Sequence, residues 1–222
     1  MRARPWLIAC ECSGAIRSRM RAMGIEAWSC DLKPAEDGSE YHIQDDVRHH
    51  LHHGWGGVVA HPECKFMAVS GLHWNKRGAM VDGRPRAELT EEALDFVREL
   101  MAAPVPRIAI ENPVSCISSR IRKPDQIVQP YEFGDDASKK TCLWLKGLPP
   151  LTIDPAQRLA GRMVEWPRGS GRMVERWANQ TDSGQNRVPP SANRATDRSR
   201  TYPGIADAIA RQWGGLAMEL AA

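Results

Sequence analysis

No apolar stretch of this sequence approaches the roughly 20 residues that a helical membrane span requires, and the N-terminus lacks the apolar core of a signal peptide. A soluble protein of a reducing cytoplasm is therefore expected. The six cysteines, at positions 10, 12, 30, 64, 116 and 142, contain no CxxC pair. That absence argues against a zinc ribbon and against a secreted disulfide framework. An excess of one charge is also missing, since 30 basic and 27 acidic residues leave a net charge of +3. Such a balance permits a nucleic-acid partner without demanding one, so local clusters carry that question. With 222 residues, 42% of them hydrophobic, there is length for one sizeable core and little for a second full domain.

What is present reads as alternating strands and helices. Trp6 to Cys12 is a short apolar run ending at Ser13-Gly14, Ile16 to Met23 has apolar residues at helical spacing, and Gly24 fits a C-cap. Glu26 to Cys30 reads as a second strand ending at Asp31, which completes a βαβ unit and implies a parallel sheet. Gly57 to Ala60 and Arg107 to Ile110 are further buried-strand candidates, and Leu89 to Ala102 has helical periodicity with Thr90 as N-cap. Thr141 to Lys146 alternates like a later strand, and Tyr202-Pro203-Gly204 marks a turn into a terminal helix from Ile205 to Trp213. Between these, Gln157 to Arg198 is rich in Arg, Gly, Ser, Asn and Pro and reads as an irregular insert. Gly-Arg-Met-Val-Glu occurs there twice, at 161–165 and 171–175, which is too few copies for a solenoid and is most simply a local duplication. The expected organisation is α/β, with a catalytic core over 1–150, a small insert over 151–198 and a returning turn and helix over 199–222.

Ligands of an open parallel sheet sit outside the C-terminal strand ends, so Asp31, His61 to Cys64 and Glu111 to Pro113 are expected on one rim. Cys64 follows His61-Pro62-Glu63 at such an end. A lone cysteine is more often a small buried apolar residue than a nucleophile, and a lone Glu111 reads equally well as a partner of backbone amides. Together they suit a particular chemistry. Carbon 5 of cytosine becomes nucleophilic when a thiolate adds at carbon 6 while a carboxylic acid protonates N3. Cys64 and Glu111 fit those two tasks.

The segments ACECSGAIRSRMRAMGIEAWSCDLKP, AHPECKFMAVSG and IENP resemble those of the cytosine-5 DNA methyltransferases, in particular the short phage and prophage DNA methylases, and the resemblance spans nearly the whole chain. It implies a Rossmann-like S-adenosylmethionine-dependent methyltransferase sheet with helices on both faces, acting on DNA in a bacterial cytoplasm through a covalent Cys64 adduct. Ser13 and Gly14, with Cys12 beside them, match the turn that holds the methionine part of the cofactor, and Asp31 matches the residue that holds its ribose. HIQDDVR is similar to the adenine-contacting motif and assigns that contact to Asp46, or alternatively Asp45. AHPECKFMAVSG matches the catalytic loop, usually Pro-Pro-Cys, which implies Pro62 against the cofactor and Lys65 and Ser70 toward DNA. Glu63 replaces the second proline and is expected to raise the Cys64 pKa by like-charge repulsion, with Lys65 as an offset. FGDDASKKTCLWLKG resembles a Tyr-Gly-x-Pro-Gln-Arg-Arg-x-Arg segment that contacts the cytosine and braces the catalytic loop. Lys139 and Lys140 stand at its arginines without their planar fork, Lys140 being assigned to the catalytic group and Lys139 to DNA. RSRTYPGIADAIARQWG is similar to the last motif, whose turn, here Tyr202 to Ile205, borders the cofactor pocket.

The large target-recognition domain of restriction-type members is replaced here by the small insert, so specificity is expected to be short or relaxed. Its Arg162, Arg168, Arg172, Arg176, Arg187 and Arg194, interspersed with Trp166 and Trp177, suit phosphate contact and base stacking, with a solvated loop as the plain alternative. The target cytosine must be flipped from a duplex or presented on a single strand. Three other readings compete. His49, His50, His52 and His53 admit a metal site, although a polar helix face accounts for them sufficiently and no metal is expected. Glu63 and Lys65 motivate a mononucleotide substrate or a transferred group other than methyl. The altered basic segment motivates a DNA-binding protein on a methylase scaffold without turnover.

Overall fold

A computed structural model describes residues 4–187 and 200–216. Along the chain run β1 (Trp6–Ala9), α1 (Ala15–Ala22), β2 (Ala27–Asp31), β3 (His42–Gln44) and β4 (Gly57–Ala60). A short helix α2 (His73–Lys76), a small hairpin of β5 (Met80–Val81) and β6 (Arg84–Pro85), and the long helix α3 (Arg86–Ala102) lead to β7 (Ile108–Pro113). The chain continues through α4 (Ile117–Arg120), β8 (Gln126–Val128), β9 (Thr141–Lys146), β10 (Arg162–Glu165), β11 (Met173–Arg176) and α5 (Pro203–Gly214).

Seven strands form one sheet in the order β3-β2-β1-β4-β7-β9-β8. The first five are mutually parallel, and β9 runs antiparallel to both β7 and β8. Strand order reverses between β1 and β4, so this α/β sheet is compatible with a Rossmann-like fold whose switch point lies between those strands. The apolar runs explain the burial. In β1, Leu7 and Ala9 face one layer with Leu94, Val97 and Leu100 of α3, while Trp6 and Ile8 face the other with α1 and α5. Helices therefore cover both faces. Each fully buried Leu, Ile or Trp contributes about 1.5–3 kcal/mol through apolar burial. Gly57 makes room for the Trp6 indole, because a Cβ there would lie 2.3 Å from the ring. No helix among the described residues is long and apolar enough to cross a membrane.

Three expectations are corrected, and one strand was not anticipated. Thr90 does not cap α3, which begins at Arg86 after Pro85; Thr90 is buried one turn inside. Strand β3 has only one strongly apolar residue, Ile43, and no periodicity announced it. The histidine run is not a helix face: Val47–His49 is a single 3₁₀ turn, and His49 and His50 both face the Asp45 carboxylate. The described part of the insert, 151–187, is less irregular than its composition suggests, for its two Gly-Arg-Met-Val-Glu copies supply most of β10 and β11, which pair antiparallel with Val164 opposite Val174. The duplication is a hairpin.

Candidate active site

Parallel register sets Ala9 beside Cys30 and Ala60, and Ala60 beside Ile110, so the ends of β1, β2 and β4 share one rim, while β7 does not stop at Ile110 as expected but runs on beyond that rim through Glu111 to Pro113, paired with β9. The chain leaves β4 directly into His61-Pro62-Glu63-Cys64, and Glu111 follows Ile110 in β7. Two side-chain contacts join these ends. Asn112 Nδ2 donates to the Pro62 carbonyl at 2.8 Å, and His61 Nδ1 lies 3.1 Å from Glu111 Oε2, with both side chains only 8% exposed. Beyond Cys64 the loop closes on itself, the Met67 and Ala68 amides both donating to the Cys64 carbonyl.

Helix α3 holds this loop from outside. Arg86 donates through Nη2 to the Lys65 carbonyl at 2.7 Å and through Nη1 to Asn75, while Thr90 Oγ1 donates to the Phe66 carbonyl at 2.9 Å. Sequence reasoning passed over Arg86 and took Thr90 for a helix cap. The available signal was that Arg86, Thr90 and Leu94 lie on one i, i+4 stripe, a line of polar side chains continuing an apolar face.

Burial pushes the Cys64 thiol up; Lys139 pulls it down, Glu111 and Glu63 push it up, and the net direction is upward. Glu63 thus acts as expected but less than burial does. Its offset comes from Lys139 and not from Lys65, whose ammonium sits 5.0 Å from the Phe66 ring centre. Burial works to raise Glu111 as well, yet the His61 hydrogen bond and the charges of Lys139 and His61 outweigh it and hold the carboxyl below its usual range. The charge of Lys139 reaches both Cys64 and Glu111, whereas Lys140 is exposed and acts on Cys142. Of the two lysines, Lys139 is thus the one whose charge bears on the Cys64 and Glu111 pair. Residues 137–140 lead into β9 without regular secondary structure.

On the β1–β2 side, Glu11 Oε1 accepts from the Ile16 amide at 3.0 Å and from Ser13 Oγ at 3.3 Å. Its Oε2 is buried with no hydrogen-bond partner, a feature the sequence did not single out. Gly14 caps α1 at φ +69°. Cys12 donates to Glu36 at 3.7 Å. Asp31 Oδ1 accepts from the Lys33 amide at 2.9 Å, and Leu32 beside it is 72% exposed. Asp46 accepts from the Arg48 amide at 3.0 Å and pairs with the Arg48 guanidinium at 3.1 Å, while Asp45 accepts from the Asp46 amide at 2.7 Å. Burial raises the Cys10 thiol first and Asp31, Cys30 and Asp46 raise it further, so Asp31 and Asp46 converge on the end of β1. Pro62 is buried and Ser70 is exposed. Tyr202 precedes α5 with its hydroxyl 3.5 Å from Asn179 Nδ2 and its ring centre 6.0 Å from the Lys139 ammonium. An Arg200–Glu36 ion pair at 2.7 Å ties the preceding segment to the Cys12 side.

No family model and no curated protein matches the chain. The site must therefore be read from its own geometry.

The hairpin module docks against the segment that leads to Lys139. Trp177 is only 7% exposed, stacks on Tyr131 at 3.9 Å between ring centres and donates to the Leu159 carbonyl at 3.1 Å. It anchors the hairpin and is not available for base stacking, contrary to expectation. Asn179 clasps Ser138, accepting from its amide at 2.9 Å and donating to its carbonyl at 3.0 Å, one residue before Lys139. Arg162 is occupied by Asp182 at 2.6 Å and the Gln180 carbonyl at 3.0 Å. Arg176 is likewise engaged with the Asp182 carbonyl at 3.1 Å. Arg172 is exposed, and Arg168 and Arg187 line a cleft of about 350 Å³ with Trp166 and Asp182. Arg194 lies outside the described residues. Among the described residues, no three His, Cys, Asp or Glu side chains group as a metal site.

Proposed function

We propose that this protein is a DNA cytosine-5 methyltransferase of the short phage type, which uses S-adenosylmethionine and a covalent Cys64 adduct. The observation that carries the reading is the convergence of a nucleophile and an acid: Cys64 in the loop after β4 and Glu111 on the neighbouring strand β7, just past the end of β4, lie under the charge of one lysine, Lys139. A scaffold kept only for binding has no physical need for that pairing.

Residues of the β1–β2 side fit the cofactor. The unpartnered buried Glu11 Oε2 suits an ammonium group beside the Ser13–Gly14 turn, the second Asp31 oxygen suits a ribose hydroxyl, and the exposed Leu32 offers an apolar surface to a flat ring. When bound, S-adenosylmethionine supplies an electrophilic methyl group. Asp46, or Asp45, remains the assignment for the adenine amino group.

The chain's own residues then act on the base. Burial keeps Cys64 as a thiol at rest, and Lys139 is the nearby cation that favours its thiolate. The thiolate adds at carbon 6 of an extruded or single-stranded cytosine, a proton from Glu111 goes to N3, and the electron pair gathers at carbon 5, which takes the methyl group. Loss of the carbon 5 proton and of the N3 proton expels Cys64 and restores the ring. Asn112, Arg86 and Thr90 keep the loop in register by holding Pro62, Lys65 and Phe66. The exposed Lys65, Ser70, Arg172 and Arg187 are assigned to DNA, joined by Trp166 and Arg168.

The test is covalent trapping. With S-adenosylmethionine and an oligonucleotide containing 5-fluorocytosine, elimination is blocked because fluorine cannot leave as a proton, and a complex stable to denaturation should accumulate. Cys64→Ser should abolish it. No complex with either duplex or single-stranded oligonucleotide would overturn the reading.

A further inference from the structure

The cleft of about 350 Å³ in the hairpin module has a lining that phosphate contact alone does not explain. It combines the half-buried Trp166 with Arg168, Asp182 and Arg187. A surface made only for phosphates has no use for a carboxylate, which repels the backbone. Yet Asp182 is firmly built in. Its turn is closed by the Thr181 amide on the Gln185 carbonyl at 2.8 Å and the Gly184 amide on the Thr181 carbonyl at 2.9 Å. Arg162 and Arg176, opposite each other in β10 and β11, both hold it, Arg162 at Oδ1 and Arg176 at the main-chain carbonyl. The Arg162 hydrogen bond, with the charges of Arg162, Arg168 and Arg187, keeps the carboxyl below its usual range, so at neutral pH it only accepts.

We propose that this cleft reads one unpaired guanine of the DNA strand, stacked on Trp166, with its N1 and N2 hydrogens on Asp182 and its O6 and N7 on Arg187. The proposal rests on the reading of the insert as a DNA-contacting surface and names the base it takes. The choice among bases follows from their edges. Guanine alone presents two adjacent donors, N1–H and the N2 amino group, beside two adjacent acceptors, O6 and N7. Adenine and cytosine set a ring-nitrogen acceptor next to the amino group, which an ionised carboxylate repels, and thymine has a single ring donor between two carbonyls. A carboxylate and a guanidinium in one cleft with an aromatic face therefore complement guanine best. In a duplex the N1 and N2 hydrogens are engaged with the opposite cytosine, so the base that is read must be unpaired.

Arg187 takes the base edge because its backbone is anchored, its amide donating to the Asn179 carbonyl at 2.9 Å. Arg168 stands in the turn between β10 and β11 and takes the phosphate of the same nucleotide. Asn179 also clasps Ser138, the neighbour of Lys139. One connected set of contacts thus runs from the base that is read to the lysine beside Cys64. A pocket for a single base also agrees with the short recognition expected of so small an insert.

The experiment measures, by fluorescence anisotropy and without S-adenosylmethionine, the binding of a labelled oligothymidine that holds one central guanine. The comparisons carry adenine, cytosine, hypoxanthine, which lacks the N2 amino group, or 7-deazaguanine, which lacks N7. We expect guanine to bind about 10-fold or more tighter than adenine or cytosine, and hypoxanthine and 7-deazaguanine each to lose about fivefold or more. Asp182→Asn should bring guanine and hypoxanthine to near-equal affinity. If that variant unfolds the hairpin, the base series in the wild type decides alone. Equal affinities across the series, or no binding, would reduce the cleft to a phosphate contact at most and overturn the proposal. Free 2′-deoxyguanosine monophosphate should compete only at far higher concentration than the guanine oligonucleotide; competition at equal concentration would make this a mononucleotide site and overturn it as well. No methyl transfer is read, so guanine preference upholds the proposal even where cytosine is not methylated. Methylated cytosine together with equal affinities rejects the proposal and leaves the methyltransferase standing.

Discussion

Replacing Arg86 by methionine keeps a long apolar stem in α3 and removes the guanidinium that holds the loop after Cys64. Arg86 is 7% exposed and spends two hydrogen bonds there, one to the Lys65 carbonyl at 2.7 Å and one to Asn75. Hydrogen bonds from a charged donor contribute about 1.5–3 kcal/mol each, and part of that is regained as water reaches the freed acceptors. A net loss of about 3 kcal/mol is the working figure, and because about 1.4 kcal/mol is tenfold, the opened loop should become roughly 100 times more populated. The Met67 and Ala68 amides, which donate to the Cys64 carbonyl, report on this directly. Native-state hydrogen exchange should accelerate over 64–72 in Arg86→Met while the amides of β1, β4 and β7 stay protected. Unchanged exchange over 64–72, or acceleration spread evenly through the sheet, would refute the bracing role.

The Cys64 thiol should titrate according to its neighbours: Lys139→Ala should shift its alkylation-rate profile to higher pH, and Glu63→Gln should shift it lower, because the first removes a charge that lowers the pKa and the second removes one that raises it. Iodoacetamide rates with the other five cysteines replaced would check both, and opposite shifts would contradict the assignment. Trp177→Ala should destabilise the hairpin module by about 3–5 kcal/mol, read as rapid proteolysis within 158–187, because it deletes the stack on Tyr131. Trp166→Ala should leave thermal stability within a degree or so of wild type while weakening single-stranded DNA binding by about 1–3 kcal/mol, as measured by fluorescence titration.

The parts of the fold legible in the sequence were those with local causes. Gly57–Ala60 and Thr141–Lys146 are strands with the expected bounds, since a short apolar or alternating run bounded by polar residues has few other uses. The start of α3 was hidden because its first turn puts Arg86 on the buried stripe, where periodicity looks for an apolar residue. The hairpin was visible only as a duplication, although Pro167, Gly169 and Gly171 between the two strands, with positive φ at both glycines, are the turn chemistry that pairing needs. Trp177 looked solvated among arginines and glycines because its partner Tyr131 lies 46 positions away. The neighbourhood of Cys64 and Glu111 followed from reading their strands as parallel, but which of two adjacent lysines brings its charge to them depends on irregular chain before β9 that no sequence pattern encodes. The contact of His61 with Glu111 spans 50 positions, and no local pattern encodes it.

The most direct measurement is mass spectrometry of nucleosides digested from DNA incubated with S-adenosylmethionine and either wild-type protein or Cys64→Ser. We expect 5-methyl-2′-deoxycytidine to appear with the wild type, to require S-adenosylmethionine and to vanish with Cys64→Ser. No methylated cytosine on either duplex or single-stranded DNA, or an equal yield from Cys64→Ser, would contradict a Cys64 thiolate as the nucleophile of a cytosine-5 methyltransferase.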